Sequence, residues 1–236
     1  EEYITEFGAY GEADGEFMWP TAVALDSKGN LYLADEWLNR ITKFTKDGEF
    51  VSKWGIGGSG DGELKGPAGL AIDKDDNVFV VDAGNNRVQK FSVDGQFISN
   101  FGSFGSDDGQ FNNPWGISLD SEGHIYIADW RNDRIQKFSP DGKWEASIGS
   151  TGSGVGQLNR PNGLAVDADG DIYVADWMNN RVQVFAPDGR YITEFHGEAV
   201  LSKWGRDKLA SNPDMIRQRN LAFANDPDYE KGLAHP

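Results

Sequence analysis

One spacing governs this chain. Pro20, Pro67, Pro114 and Pro161 stand 47 residues apart, and Gly48, Gly95, Gly142 and Gly189 keep the same step. So do the acid series Asp35, Asp82, Asp129 and Asp176 and the base series Arg40, Arg87, Arg134 and Arg181. A fixed period of this size marks a repeat architecture, in which each repeat is one supersecondary unit that cannot bury its own faces alone.

Each period holds four short runs that read as strands. In the third, WGISL is followed by the turn DSEGH, then IYIAD, the loop WRND, RIQKF, the turn SPDG and KWEASIG. Runs rich in Ile, Val, Tyr and Phe, separated by Gly, Asp, Asn and Pro, predict an antiparallel meander. Four strands in 40 to 50 residues predict a propeller blade, so the fold class is all-β, a β-propeller of four-stranded blades. The first strands alternate large with small: Val23, Leu70, Ile117 and Leu164 are flanked by Ala, Gly or Ser. That pattern suits crowding near a propeller axis. Phe44, Phe91, Phe138 and Phe185 fill the third strands, farther out, where the wedge between blades widens.

The phase-locked pattern P-x-G-[IL], a Tyr-rich strand ending in Asp, then N-x-R-[IV]-Q-x-F and D-G, resembles the NHL repeat. Four copies are expected, at about 17–55, 64–102, 111–149 and 158–197, within one domain. Leu38 departs from the pattern's Asn, and Ala83 with Gly84 strips one loop of bulk. The resemblance implies a six-bladed parent, with blades missing here. YITEF at Tyr3–Phe7 repeats YITEF at Tyr191–Phe195 four periods later, so it is expected to be a leftover fourth strand. LAHP, at Leu233–Pro236, matches the start of a further blade. Both ends thus read as cut, and missing blades or another chain are expected to close the ring. The segment 198–232 breaks the period. SNPDM within it has helix-start grammar, and Lys203 to Arg219 hold five basic and two acidic residues. It is expected to be a helix docked on an acidic propeller, with an anion-contacting flap as the sharper alternative.

Composition narrows the partners. A formal charge of −16 argues against binding a phosphate backbone, and no apolar run reaches membrane-spanning length. The absence of Cys excludes disulfides and thiol chemistry, and fits a cytoplasmic or a secreted chain alike.

A catalytic site needs different residues in different roles, whereas the Asp/Arg pairs Asp35/Arg40, Asp82/Arg87, Asp129/Arg134 and Asp176/Arg181 repeat one arrangement four times. They read as structural staples, the Asp capping the loop through its own amides and the Arg pairing with it or with the next blade. Other motifs carry little. GIGGSG precedes a loop and strand rather than a helix. DADGD at Asp167–Asp171 falls at a hairpin turn common to all repeats. His124, His196 and His235 fall in different parts of the blade, so neither a metal nor a cofactor is expected.

What remains is a face. The inter-blade linker and the loop between the second and third strands emerge at one end of a blade. There the sequence gathers Trp37, Trp115, Trp130 and Trp177, with Arg131 and Met178 beside them and Thr21, Ala68 and Asn162 at the channel mouth. The aromatics either pack over neighbouring blades as a lid or form a platform for a peptide, a sugar or another protein. The resulting reading is a non-catalytic ligand- or protein-binding scaffold. The alternative, implied by related six-bladed propellers, is a metal-dependent lyase or lactonase-type hydrolase with site residues partly in missing blades.

Overall fold

The structure is a computed structural model that describes residues 6–196. Two short parallel strands, β1 (Ala9–Tyr10) and β2 (Glu16–Phe17), precede four antiparallel sheets. Blade one is β3 (Pro20–Leu25), β4 (Leu31–Asp35), β5 (Arg40–Phe44) and β6 (Phe50–Trp54). Blade two is β7 (Pro67–Ile72), β8 (Val78–Asp82), β9 (Arg87–Phe91) and β10 (Phe97–Phe101). Blade three runs β11 (Ile117–Leu119), β12 (Ile125–Asp129), β13 (Arg134–Phe138) and β14 (Trp144–Ile148). Blade four runs β15 (Pro161–Val166), β16 (Ile172–Asp176), β17 (Arg181–Phe185) and β18 (Tyr191–His196). Strand order equals sequence order in every sheet. Pro opens β3, β7 and β15, where its missing donor costs no ladder bond and the register shifts one residue later. Tyr3–Thr5 and the segment 198–232 lie outside the described residues, and so does His235.

The core lies between blades. Tyr32, Ala34 and Ile41 of blade one pack with Leu70, Val80 and Phe91 of blade two, and equivalent clusters join blades two to three and three to four. Phe44, Phe91, Phe138 and Phe185 are all buried, each contributing about 1.5 to 3 kcal/mol. Near the axis the first strands approach so closely that a Cβ at Gly116 would stand 2.7 Å from the Asn162 carbonyl oxygen. Small residues there are a steric requirement. Among the described residues no core cluster joins blade four to blade one. Val23 is 62% exposed where its blade-two counterpart Leu70 is 7% exposed, and Phe195 on β18 is 55% exposed. Phe7 stacks on Phe44 at 5.1 Å as Trp54 does on Phe91 at 6.2 Å, one period on.

The Asp/Arg pairs lie in a hydrogen-bond network that fastens each linker to its own blade. In blade three, Asp129 Oδ2 accepts from Asn132 Nδ2 (2.9 Å), Arg134 Nε (2.9 Å) and Gln136 Nε2 (3.0 Å). Its Oδ1 accepts from the Asn112 amide at 2.8 Å. The same side chains also donate to the linker: Asn132 Nδ2 to the Gly105 carbonyl, Arg134 Nη2 to those of Asp107 and Gln110, and Gln136 Nε2 to that of Gln110. Blades two and four repeat this around Asp82 and Asp176. One expectation needs correction. In blades two to four the Asp makes no side-chain cap to its loop, a single 3-10 turn, because its oxygens are taken by the linker amide and three side chains. Of the two partners open to these arginines, each takes its own Asp and not the next blade.

Blade one departs. With Leu38 in place of Asn and Thr42 in place of Gln, Asp35 accepts only backbone amides, from Met18, Trp19 and Leu38. Arg40 bonds the Glu12, Ala13 and Glu16 carbonyls instead, and its buried Nε has no partner; neither does Thr42 Oγ1.

Candidate functional site

The network freezes the linkers and loops of one end of the propeller, and four positions per repeat ride on that frame without being part of it. They are the residues just before and just after the linker Pro and the first two of the loop after the second strand. Blade one supplies Trp19, Thr21, Glu36 and Trp37 there, and blade two Gly66, Ala68, Ala83 and Gly84. Blade three supplies Asn113, Trp115, Trp130 and Arg131, and blade four Arg160, Asn162, Trp177 and Met178. The frame residues repeat; these vary between blades, apart from the Trp that blades three and four share.

Trp115, Trp130 and Trp177 form one row, with centroids 6.3 Å and 6.4 Å apart and planes tilted by 39° and 33°. Trp177 is exposed, while Trp115 and Trp130 are half-buried. Two guanidinium groups share the middle ring, Arg160 at 4.9 Å from its centroid and Arg131 at 5.4 Å. A guanidinium over an indole face gains about 0.5 to 2 kcal/mol as desolvation increases. Arg160 sits at φ +54°, its amide donating to Asp133 Oδ1 at 2.8 Å.

Trp37 does not join the row. It is 66% exposed and faces Trp19, Glu36 and Gly66 across an open cleft of about 450 Å³. In the repeat it stands level with Arg131 and Met178, and Glu36 takes the place of the ring-bearing Trp130. A second hollow of about 240 Å³ shares Glu36 and Gly66 and reaches Lys65, Asn113 and Trp115. Asn162 lies half-buried on β15, beside Gly116. Trp19, Arg160, Glu36 and Lys65 were not singled out from the sequence. The signal was present, since Trp19 and Arg160 hold the repeat position that is Gly66 and Asn113 elsewhere.

Beneath this end, burial pushes the Asp129 carboxyl above its usual range, although the Asn112 amide, Asn132 and Arg134 oppose the shift. At the opposite end Asp26, Asp73 and Asp120 close the first hairpins. Burial raises the Asp120 carboxyl, but bonds from the His124 amide and ring and from the Glu122 amide hold it lower overall. The DADGD stretch is the same device, with Asp167 Oδ1 accepting from the amides of Asp169 and Asp171. His124 pairs with Asp120 and His196 with Glu194, in different blades. Among the described residues no group of three or more His, Asp or Glu gathers as metal ligands.

The family model described as the NHL repeat matches residues 111–138 and 158–185, each from linker through third strand. This β-propeller carries NHL repeats. A second model, described as a 6-bladed beta-propeller, matches residues 23–101, pointing to a six-bladed parent architecture of which the described NHL propeller supplies four blades. Among solved structures, a streptogramin B lyase is 18% identical over 77% of this chain and 55% of its own, with a TM-score of 0.60. Virginiamycin B lyase from Staphylococcus aureus, also solved as a catalytically inactive form with quinupristin, gives 18%, 77%, 57% and 0.60 in the same order. A Bacteroides caccae protein of unknown function is 15% identical over 78% of this chain and 62% of its own, with a TM-score of 0.57. The NHL propeller therefore spans little more than half the length of these structures. At such identities they share the fold. No curated protein matches the sequence. Among the described residues no helix is long and apolar enough to cross a membrane.

Proposed function

We propose that this NHL propeller is a non-catalytic binding scaffold that engages its ligand with the tryptophan-rich loop end. The observation that carries this reading is the continuous row Trp115–Trp130–Trp177 beside the cleft at Trp37, on loops held rigid from below. Indoles offer large contact area at small entropic cost, and a preorganised frame lowers that cost further. A screen of peptides, glycans and proteins against the full chain, read by tryptophan fluorescence, tests it. Trp115→Ala and Trp130→Ala install the residues blade two carries at those positions, and both should abolish a hit. Hits that survive both substitutions, or a screen with none, would overturn the proposal.

The second reading is a metal-dependent lyase or hydrolase, and its support is the shared fold with the streptogramin lyases. Stoichiometric metal in the purified chain, with binding lost on chelation, would favour it over the scaffold.

A further inference from the structure

Resting on that reading of the loop end, we infer that the ligand is a short acidic oligosaccharide, a run of pyranose rings bearing carboxylates. Blade two carries Gly or Ala at all four variable positions, where the other blades carry bulk. The result is a notch between the blade-one and blade-three loops, with Trp37 on one wall and Trp115 on the other. The two hollows share Glu36 and Gly66, so they form one depression of the size that takes a small ligand. From Trp115 the indole row leads on to Trp130 and Trp177, which extends the seat beyond one ring.

The charge on this track is opposite to that of the chain. Formal charge overall is −16, yet Arg131 and Arg160 crown Trp130, and Lys65 is exposed at the notch. Among the described residues neither arginine is in an ion pair, and the buried Nη1 of Arg160 has no hydrogen-bond acceptor. Asp133, which holds the Arg160 amide, spends its other oxygen on the Thr151 hydroxyl. Two guanidinium groups over one indole, with Arg131 exposed and free of ion pairs among the described residues, complement a planar carboxylate.

A sugar fits this better than a peptide. Peptides held by strand addition need an open edge, whereas this end offers turns whose linker amides are already bonded to Asp82, Asp129 and Asp176. Sparse carboxylates between neutral hydroxyls suit a few cations set among Glu36, Asn113 and exposed rings.

Titration calorimetry of the full chain tests this with tetragalacturonate, a neutral tetrasaccharide and a glutamate-rich peptide of equal charge. Tetragalacturonate should bind, and added salt should weaken it. The pair Arg131→Met and Arg160→Asn borrows Met178 and Asn113 from sibling blades, so folding should survive, as a thermal melt will show. It should weaken binding about 10- to 100-fold, the range for lost charge-assisted bonds. Trp37→Met should weaken it without changing the salt dependence. Equal binding of the neutral sugar, unaffected by the arginine pair, would overturn the acidic ligand and leave the tryptophan face standing. Preference for the peptide would overturn the sugar. Failure of all three probes, while the fluorescence screen finds other ligands that need Trp115, would sink this inference alone.

Discussion

Asp129→Ala is the sharpest probe of how the propeller holds its loops. The carboxylate is fully buried and collects four donors: the Asn112 amide, Asn132, Arg134 and Gln136. Removing one partner of a buried charged pair costs about 3 to 5 kcal/mol, because the other charge is left uncompensated. Here the cost falls toward the lower end of that range, since Arg134, Asn132 and Gln136 keep their linker carbonyls. A loss of about 3 kcal/mol is still a large part of a domain's net stability of roughly 5 to 15 kcal/mol. Blade one supplies an internal control. Asp35 is equally buried but accepts three backbone amides and no side-chain donor, so Asp35→Ala should cost less, about 1 to 2 kcal/mol. Urea midpoints of the two variants at neutral pH, alongside ligand binding, make the comparison. Equal losses would refute the network argument. An unchanged midpoint for Asp129→Ala with binding abolished would be worse, for it would make the pair a site.

Three further outcomes are expected. Leu38→Asn with Thr42→Gln rebuilds in blade one the bonds that blades two to four possess, and should raise stability by about 1 to 2 kcal/mol in a urea titration; a neutral or destabilising result would show that Arg40 has a better arrangement of its own. Asp120, with Asp26 and Asp73, has a folded-state pKa below its unfolded value, so its contribution is present above the usual carboxylate range and is lost as pH falls through the lower folded value; Asp120→Asn should flatten the loss of melting temperature in acid below about pH 4, with Asp129, shifted upward, working in the opposite sense. Gly116→Ala puts a methyl 2.7 Å from the Asn162 carbonyl and should destabilise by about 1 to 3 kcal/mol, read as a lowered melting temperature.

The blades were legible because repetition removes the ambiguity of short strands. One apolar run of five residues could be strand or buried helix, but four copies in phase, each followed by the same Gly turn, leave one solution. The Asp/Arg geometry was only half legible. An Asp–Arg pair across the tight loop was one of two arrangements open from their positions, and it forms in blades two to four but not in blade one, while Gln89, Gln136 and Gln183 went unread as part of the network. They sit on the third strand, two residues past the Arg, so they point the same way into the blade interface and reach a linker 26 residues back. No local pattern encodes that return. The face was legible as a group of tryptophans but not as a surface: Trp37 stands one loop position later than Trp130, and that offset carries it away from the row and into the notch.

The division between frame and face explains how one fold can change ligand without refolding. The Asp, Asn, Arg and Gln around each buried carboxylate bond one another and their own linker, so a change at Trp130 or Arg160 removes none of the side-chain bonds that hold the loop. The four variable positions also tolerate extremes within this single chain: Gly, Asn, Arg and Trp all stand just before the linker Pro. Three of these, Gly66, Asn113 and Arg160, share a left-handed backbone with φ between 53° and 58°, so the conformation is imposed by the frame and not chosen by the side chain. For Arg160 this is an unfavourable backbone held in place by the Asp133 bond to its amide. Structure alone would favour Gly or Asn there. An arginine kept in that conformation over Trp130, outside any ion pair among the described residues, makes sense as a residue retained for what it meets from outside.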